Sequence, residues 1–250
     1  MRRRGLLSND KLAADCGHRS RVAAKRRERT RLRLIEGALP VFAARGVDAT
    51  IIEEVIVAAG VSRGTFYNYF RSNEDLLLAV SEAVSNEIVR VVYVEVADIA
   101  DPAKRLSLGL RLFLDLVRLY PLFGRFIHRT GFGILAPSHL AFRYLPHDIG
   151  EGVASGRFSV ANIEAAVDLV VGGVLMAVFA MDSRRLAPSY SCEVVQHLLM
   201  ALGVDVEEAR GLATIPLPAL VYPADSWLDR VHSRYLGSCE NSEPRHSDAP

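Results

Sequence analysis

The chain has 250 residues, half of them hydrophobic, and is therefore long and apolar enough to bury a sizeable core. Its three cysteines form no CxxC pair and have no histidine at ligand spacing, which argues against a disulfide framework and a zinc site. The longest apolar run, 169–181, has 13 residues, whereas a membrane-spanning helix needs about 20. These features predict a folded cytoplasmic protein with no membrane partner, no metal and no cofactor.

Charge is distributed unevenly along the chain. The first 33 residues hold twelve Lys and Arg against three Asp and Glu, a net charge of +9, whereas the remainder carries −8. Such a basic segment is typical of contact with nucleic acid. Residues 1–27 lack sustained apolar periodicity, so we expect a flexible basic arm. The alternative is a disordered leader with no role.

Downstream of the arm, the chain has the spacing of short helices. From Arg29 one apolar stripe predicts a first helix that ends at Gly46, with stripe residues Ile35, Ala38, Leu39 and Phe42. Thr50 and Glu53 have the spacing of a capping box, which predicts that a second helix begins there and runs to about residue 59.

A glycine and two serines predict where the next helices end and begin. Gly60 can adopt the left-handed conformation that ends a helix, and Ser62 can cap a third helix that runs to Phe70. A further cap at Ser72 predicts a long fourth helix to about residue 97. Two short helices joined by a tight glycine turn are the unit of a helix-turn-helix.

The rest of the chain also has helical spacing. Asp101 followed by Pro102 is a helix start, and apolar periodicity predicts helices near 103–119, 122–130, 138–155, 160–181, 190–202 and 205–213. No segment alternates as a strand does, so the expected fold class is all-α. We expect four regions: a basic arm at 1–27, a helix-turn-helix domain at 28–74, a larger helical domain at 75–213, and a Pro-rich, partly disordered tail at 214–250.

The segment 59–70, AGVSRGTFYNYF, followed by Ser72 and the run 74–77, EDLL, resembles the signature of the TetR family of transcriptional regulators. The resemblance covers about residues 29–80. It implies a three-helix DNA-binding domain and a larger helical domain that dimerises and binds a small-molecule effector. The implied function is a sequence-specific regulator, expected to be a repressor, that binds a palindromic operator as a homodimer and leaves it when the effector binds.

The resemblance also implies which residues touch DNA. Arg63 and Thr65 would approach base edges or phosphates, and Asn68 a base edge. Tyr67 and Tyr69 would donate hydrogen bonds to phosphates, and ordinary packing at the domain joint is the alternative for both. The full set of expected DNA-binding residues is Thr50, Arg63, Gly64, Thr65, Tyr67, Asn68, Tyr69 and Asn73.

The chain departs from the usual family pattern in three places. Asn73 replaces a lysine that commonly holds a phosphate, Glu53 stands where a basic or neutral residue is frequent, and Ile56 stands where a small residue is usual. The basic cluster from Arg19 to Arg33 could compensate for the lost charge, because each neutralised phosphate adds a counterion-release contribution to binding.

Two expectations concern the larger domain. Aromatic and basic residues mixed into apolar helical sequence are typical of a ligand pocket, which gives six candidates for the effector site: Phe123, Arg125, Phe126, His128, Arg129 and Phe132. Plain core packing is the alternative. Two apolar helices provide a wide surface, and the resemblance implies that they pair with their twofold mates in a four-helix dimer interface, with candidates Val167, Val171, Val174, Val178, Val195, Leu198 and Leu199. Burial of these helices within the monomer is the alternative.

Two other functions compete with DNA binding. Residues 60–64, GVSRG, match the GxSxG elbow of serine hydrolases, but that motif needs a preceding strand, and the sequence before it is helical. The basic arm alone could instead bind an anionic membrane surface. We therefore expect a regulator that is not an enzyme.

Overall fold

The computed structural model describes residues 7–47, 51–131, 138–218 and 226–240, with side chains from residue 21 to 237 within those ranges. The described chain forms eleven helices and no strand, which confirms the all-α prediction. The helices are α1 (Leu7–Arg45), α2 (Ile51–Ala59), α3 (Arg63–Tyr67), α4 (Asn73–Val96), α5 (Pro102–Leu119), α6 (Pro121–Thr130), α7 (Ala141–Ala154), α8 (Ile163–Ser183), α9 (Tyr190–Ala201), α10 (Val206–Thr214) and α11 (Trp227–Glu240).

Three helix starts have the caps that the sequence predicts, whereas the predicted cap residue Thr50 lies outside the described residues. Ser62 caps α3 and Ser72 caps α4, each hydroxyl accepting a hydrogen bond from the backbone three residues on, at 3.1 and 3.2 Å. Asp101 accepts from Ala103 N at 3.1 Å at the start of α5, where proline occupies the first turn. The bounds of α5 to α10 lie within three residues of the predicted ones.

Two helical segments were not predicted from the sequence: the first part of α1 and the whole of α11. Helix α1 begins at Leu7, so residues 7–27 are helical and not irregular. Their sequence is rich in Ala, Leu, Lys and Arg, which favour helix by intrinsic propensity even without an apolar stripe. Helix α11 lies within the tail that we expected to be Pro-rich and irregular. It docks because Leu228 and Val231 are buried, at 0% and 2% exposure.

The three N-terminal helices form a bundle around Phe42 and Phe66, which are both fully buried. Helices α1 and α2 approach closely at Gly37, where a Cβ atom would lie 3.0 Å from Ala59 N. Phe42 of α1 also contacts Phe126 of α6 edge to face, with ring centroids 6.3 Å apart. This contact joins the N-terminal bundle to the larger helical body.

Helices α4 to α10 build the larger body. The buried Arg105 of α5 pairs with Asp148 of α7 at 2.9 Å and also with Glu151, which ties the two helices together. Among the described residues one helix, α8, is long and apolar enough to cross a membrane by length and composition, and 39% of its most apolar window is buried. It packs against α5, α6, α7 and α9.

Candidate nucleic-acid interface and internal cavity

The turn between α2 and α3 is fixed from both sides. Gly60 has φ +60°, a conformation that favours glycine, and Val61 N donates to Ile56 O at 3.1 Å. Arg33 of α1 donates from Nη2 to the carbonyls of Ala59 and Gly60, at 2.6 and 3.1 Å. From the sequence, Arg33 was assigned to the basic cluster expected to bind phosphates. Its hydrogen bonds to the end of α2 were not predicted, because both acceptors lie about 26 residues away in the chain.

Helix α3 presents an open polar face. Arg63, Gly64, Tyr67 and Asn68 are exposed, while Phe66 between them is fully buried. A Cβ atom at Gly64 would meet nothing within 4 Å, so a flat partner can approach the backbone there. Tyr67 is 48% exposed, with its ring edge to face against Phe66 at 5.3 Å. Four of the expected DNA-binding residues therefore lie on one accessible surface.

Helix α1 continues this surface. A groove between α1 and α3 is lined by Arg26, Arg27, Thr30, Thr65, Asn68 and Tyr69. The Arg27 guanidinium lies 5.9 Å from the centre of the half-buried Tyr69 ring, a cation–π distance. Two guanidinium groups beside hydroxyl and amide donors can together bind a phosphate group. The structure thus brings the arm and the expected recognition residues together.

The remaining expected DNA contacts have particular environments. Arg63 pairs with Glu53, Nη1 to Oε1 at 3.2 Å, and both side chains are mostly exposed. Asn73 opens α4, and its Oδ1 is buried without a hydrogen-bond partner. Thr50 lies outside the described residues.

The serine of the GxSxG match has a structural task. Its hydroxyl oxygen accepts a hydrogen bond from Thr65 N at 3.1 Å and lies 2.9 Å from the Thr65 hydroxyl. Helix α2 precedes it, and residues 51–70 contain no strand, so the strand-turn-helix context of a nucleophile elbow is missing there.

A cavity of about 170 Å³ lies in the larger body, between α4, α5, α6, α7 and α8. Its wall is mostly apolar and includes Val84, Val92, Leu106, Phe113, Phe126 and Val174.

Besides Ser85, Tyr93 and Tyr144, the cavity wall has two polar positions with hydrogen bonds inside the protein. At the first, Ser81 Oγ and His139 Nε2 lie 3.1 Å apart, and burial lowers the pKa of His139, so that the neutral imidazole is favoured. At the second, the Arg105 guanidinium already binds two carboxylates and the Ile99 carbonyl. Neither position offers an uncompensated positive charge.

The three aromatic residues predicted for the effector site have different positions. Phe126 lines the cavity. Phe123 is fully buried elsewhere, with its ring stacked on Tyr120 at 5.2 Å. Phe132 lies outside the described residues.

The three predicted basic residues do not line the cavity. Arg125 donates to the Tyr235 hydroxyl at 2.6 Å, His128 pairs with Asp182, and Arg129 is exposed. Most of the cavity wall belongs to α4, α5, α7 and α8, which the prediction did not use. Their apolar side chains have the spacing of ordinary core, so a single sequence contains no signal that would single them out.

The expected dimer-interface residues point into the protomer. Six are buried, and Val171 is partly buried and lines the cavity together with Val174; the seven are Val167, Val171, Val174, Val178, Val195, Leu198 and Leu199. The exposed apolar stripe of α8 consists of Leu169, Met176 and Phe179, at 49%, 51% and 39% exposure. A dimer face on α8 would therefore use the opposite side of the helix from the predicted one.

Two family profiles match the chain. Residues 34–80 match the profile described as bacterial regulatory proteins, tetR family. Residues 101–214 match the profile of the tetracyclin repressor-like C-terminal domain. Together the two matches cover α2, α3 and helices α5 to α10. Residues 81–100, which include most of α4 and its share of the cavity wall, lie between them.

Relatives and solved structures agree with the profiles. An uncharacterised HTH-type transcriptional regulator of Mycobacterium tuberculosis, Rv1255c, is 33% identical over 100 residues, 40% of this chain and 50% of the relative. The match thus spans half the length of that relative. SrpR of Pseudomonas putida, also an HTH-type transcriptional regulator, is 39% identical over 61 residues, 24% of this chain and 29% of SrpR.

Among solved structures, RolR in complex with resorcinol is 30% identical and superimposes with a TM-score of 0.67, over 79% of this chain and 100% of RolR. A tetR family regulator from Shewanella is 21% identical, with a TM-score of 0.60 over 69% of this chain and 97% of that protein. The latter supports the fold alone.

Proposed function

The chain belongs to the TetR family of bacterial regulatory proteins, and we propose that it is a cytoplasmic repressor that binds an inverted-repeat operator as a homodimer and is released by a small effector. The observation that carries this proposal is the exposed polar face of α3 beside the basic helix α1. Members of the family are DNA-binding transcriptional regulators.

DNA binding follows from the chemistry of the two helices. Exposed donors at the start of α3 suit base edges in the major groove, and Gly64 lets the backbone come close. The groove between α1 and α3 suits a backbone phosphate. The helical arm adds basic residues that are exposed from Arg21 to Arg29, where they can neutralise further phosphates.

Dimerisation follows from size and exposure. Helix α3 has five residues and can read only a few base pairs, so two copies are needed to specify an operator. The stripe Leu169, Met176 and Phe179 is an exposed apolar surface of the kind that marks an interface. Light scattering at micromolar concentration should give the mass of a dimer, and a stable monomer would contradict this part of the proposal.

The DNA experiment is selection of bound sequences from random duplexes, followed by affinity measurements on the recovered site. Replacement of Tyr67 and Tyr69 by Phe should weaken binding to all sequences equally, because it removes two phosphate donors and little packing area. Thermal unfolding checks that the fold is intact. If the affinity is unchanged, the two hydroxyls make no contact with DNA.

The cavity indicates the chemical class of the effector. Its volume of about 170 Å³ is close to that of an engineered protein cavity of about 150 Å³ that binds benzene. A single aromatic ring therefore fits. Because the wall is apolar and has no uncompensated cation, the effector should be neutral, with a hydroxyl group that hydrogen-bonds near Ser81 and His139. The solved complex of RolR with resorcinol supports a small phenol.

Thermal shift with three single-ring compounds tests this class. Resorcinol and phenol should raise the unfolding temperature, and benzoate, of similar size but negatively charged, should not. At about 100 times Kd a ligand adds about 2.7 kcal/mol, which corresponds to about 5–11 °C for a protein of this size. In the Ser81→Ala variant, phenol should raise the unfolding temperature above that of the ligand-free variant by less than it does in the native chain. Benzoate that stabilises as well as phenol would refute the neutral-effector argument.

A further inference from the structure

Helix α11 lies beyond both family profiles, since the C-terminal match ends at residue 214. Its first turn is fixed by Ser226, whose hydroxyl oxygen accepts from Leu228 N at 3.2 Å and from Asp229 N at 3.4 Å. Because Leu228 and Val231 are almost completely buried, the helix is docked through its apolar side. The helix lies between two parts of the molecule that have different functions.

On one side, α11 binds the junction of α5 and α6. The Tyr120 hydroxyl donates to Asp229 at 3.2 Å, and the buried His232 ring lies edge to face against Tyr120, with centroids 4.9 Å apart. One helical turn further, Arg125 of α6 donates to the Tyr235 hydroxyl at 2.6 Å. Helix α6 also supplies wall residues of the cavity, so this side of α11 is attached to the effector-binding body.

On the other side, α11 packs against α1, and two of its arginines share one carboxylate there. Arg230 and Arg234, one turn apart, reach the two oxygens of Glu36 at 3.0 and 2.8 Å. The Glu36 side chain is only 13% exposed, so the pairs are shielded from solvent on that side. Glu36 lies on the helix that carries Arg33 and the basic arm, and is therefore part of the DNA-facing bundle.

We propose that α11 is a clamp that fixes the orientation of the DNA-binding bundle relative to the effector-binding body, and that Glu36 is the positioning residue through which it acts. Without the clamp, the bundle is held by the packing of α1 against α4 and α6 and by the chain connection into α4. With it, any shift of α6 relative to α1 must break either the Glu36 pairs or the contacts of α11 with Tyr120 and Arg125. In a twofold dimer this orientation sets the separation of the two α3 helices, and hence the half-site spacing that is accepted.

Two variants with opposite charge changes isolate the clamp from simple electrostatics. Glu36→Gln removes a negative charge, whereas the double variant Arg230→Gln with Arg234→Gln removes two positive charges. The first measurement is made on the protein without DNA. Nitroxide labels are attached to cysteines introduced at the exposed positions Val57 and Lys104, and the native cysteines are replaced by serine. Labelled protein is diluted into excess unlabelled protein, so that pulsed dipolar spectroscopy reports distances within one protomer.

The native chain should give one narrow distance distribution, and both variants a broader one with unchanged far-UV circular dichroism. The charge swap Glu36→Arg with Arg230→Glu and Arg234→Glu should narrow it again. Equal widths in all four proteins would overturn the clamp, as would broadening accompanied by loss of helical signal and no recovery in the swap. These distances do not depend on DNA binding.

The second measurement rests on the proposed function. Random-duplex selection should recover one half-site spacing with the native chain and several with both variants. A native chain that selects no duplex would refute the proposed function and leave the distance result standing. An unchanged spacing in both variants would refute the role of the clamp in operator choice.

Discussion

The ion pair between Glu53 and Arg63 gives a sharp test of how this chain binds DNA. Arg63 opens the recognition helix and must leave Glu53 to reach a base or a phosphate. Both partners are mostly exposed, so the pair contributes about 0.2–1 kcal/mol. Repulsion between Glu53 and a phosphate about 4 Å away in water would add about 1 kcal/mol. Glu53→Gln removes both costs, about 1–2 kcal/mol in all, and should tighten binding by about 5- to 30-fold.

Glu54→Gln is the matched control. Glu54 is the next residue of α2, is also exposed, and pairs with Arg45 at 3.5 Å, away from the recognition helix. Both substitutions change the net charge by the same amount. Fluorescence anisotropy on the selected operator, from low to high salt, should show a gain for Glu53→Gln that shrinks as salt screens it, and little change for Glu54→Gln.

Equal gains in the two variants would refute the reasoning, because they would reflect only the overall charge of the domain. Weaker binding by Glu53→Gln would refute it differently. It would mean that the carboxylate contacts DNA directly, for example by accepting from a cytosine amino group. Unfolding temperatures of the two variants should stay close to that of the native chain, since neither carboxylate is buried.

Three further outcomes are expected. Gly109→Ala should stabilise the fold by about 1 kcal/mol through helix propensity, yet weaken phenol binding, because its Cβ narrows the cavity. Gly211→Ala is the control and should stabilise the fold without affecting phenol binding. If phenol raises the unfolding temperature of both variants equally, the cavity is not the phenol site. Burial lowers the pKa of His232, so the unfolded state binds more protons and stability should fall as pH drops below about 6.5. His232→Phe, which also removes a buried Nδ1 without a partner, should make urea unfolding less pH-dependent; an unchanged pH profile would argue against this. Deletion of residues 1–27 should lower the salt dependence of DNA binding by about 0.9 per lost phosphate contact while keeping the ranking of operator variants, and an unaltered slope would mean that the arm does not touch DNA.

The sequence alone determined most helix starts and turns between residues 60 and 214. Ser62, Ser72 and Asp101 predicted helix starts, and Gly60 predicted the turn, because caps and turns depend on hydrogen bonds between residues two to four positions apart. Apolar spacing placed α5 to α10 within three residues for the same reason. The family signature lies in this local part of the chain, which is why a single sequence was enough to identify it.

Only the tertiary structure decided which faces meet. The side of α8 that stays exposed, and the four helices that join α6 around the cavity, depend on the packing of elements far apart in the chain. A strongly apolar helix such as α8 has no polar face to reveal its orientation, so the predicted interface side chains turned out to be core.

The same limit applies to individual charges. Arg33 and Glu36 lie within three residues of each other in a basic, exposed-looking segment, and their sequence neighbours give no hint of their partners. Arg33 caps α2 across 26 residues, and Glu36 pairs with Arg230 across 194. Such pairs form because folding brings distant elements together, and the local sequence does not indicate which element will pack there.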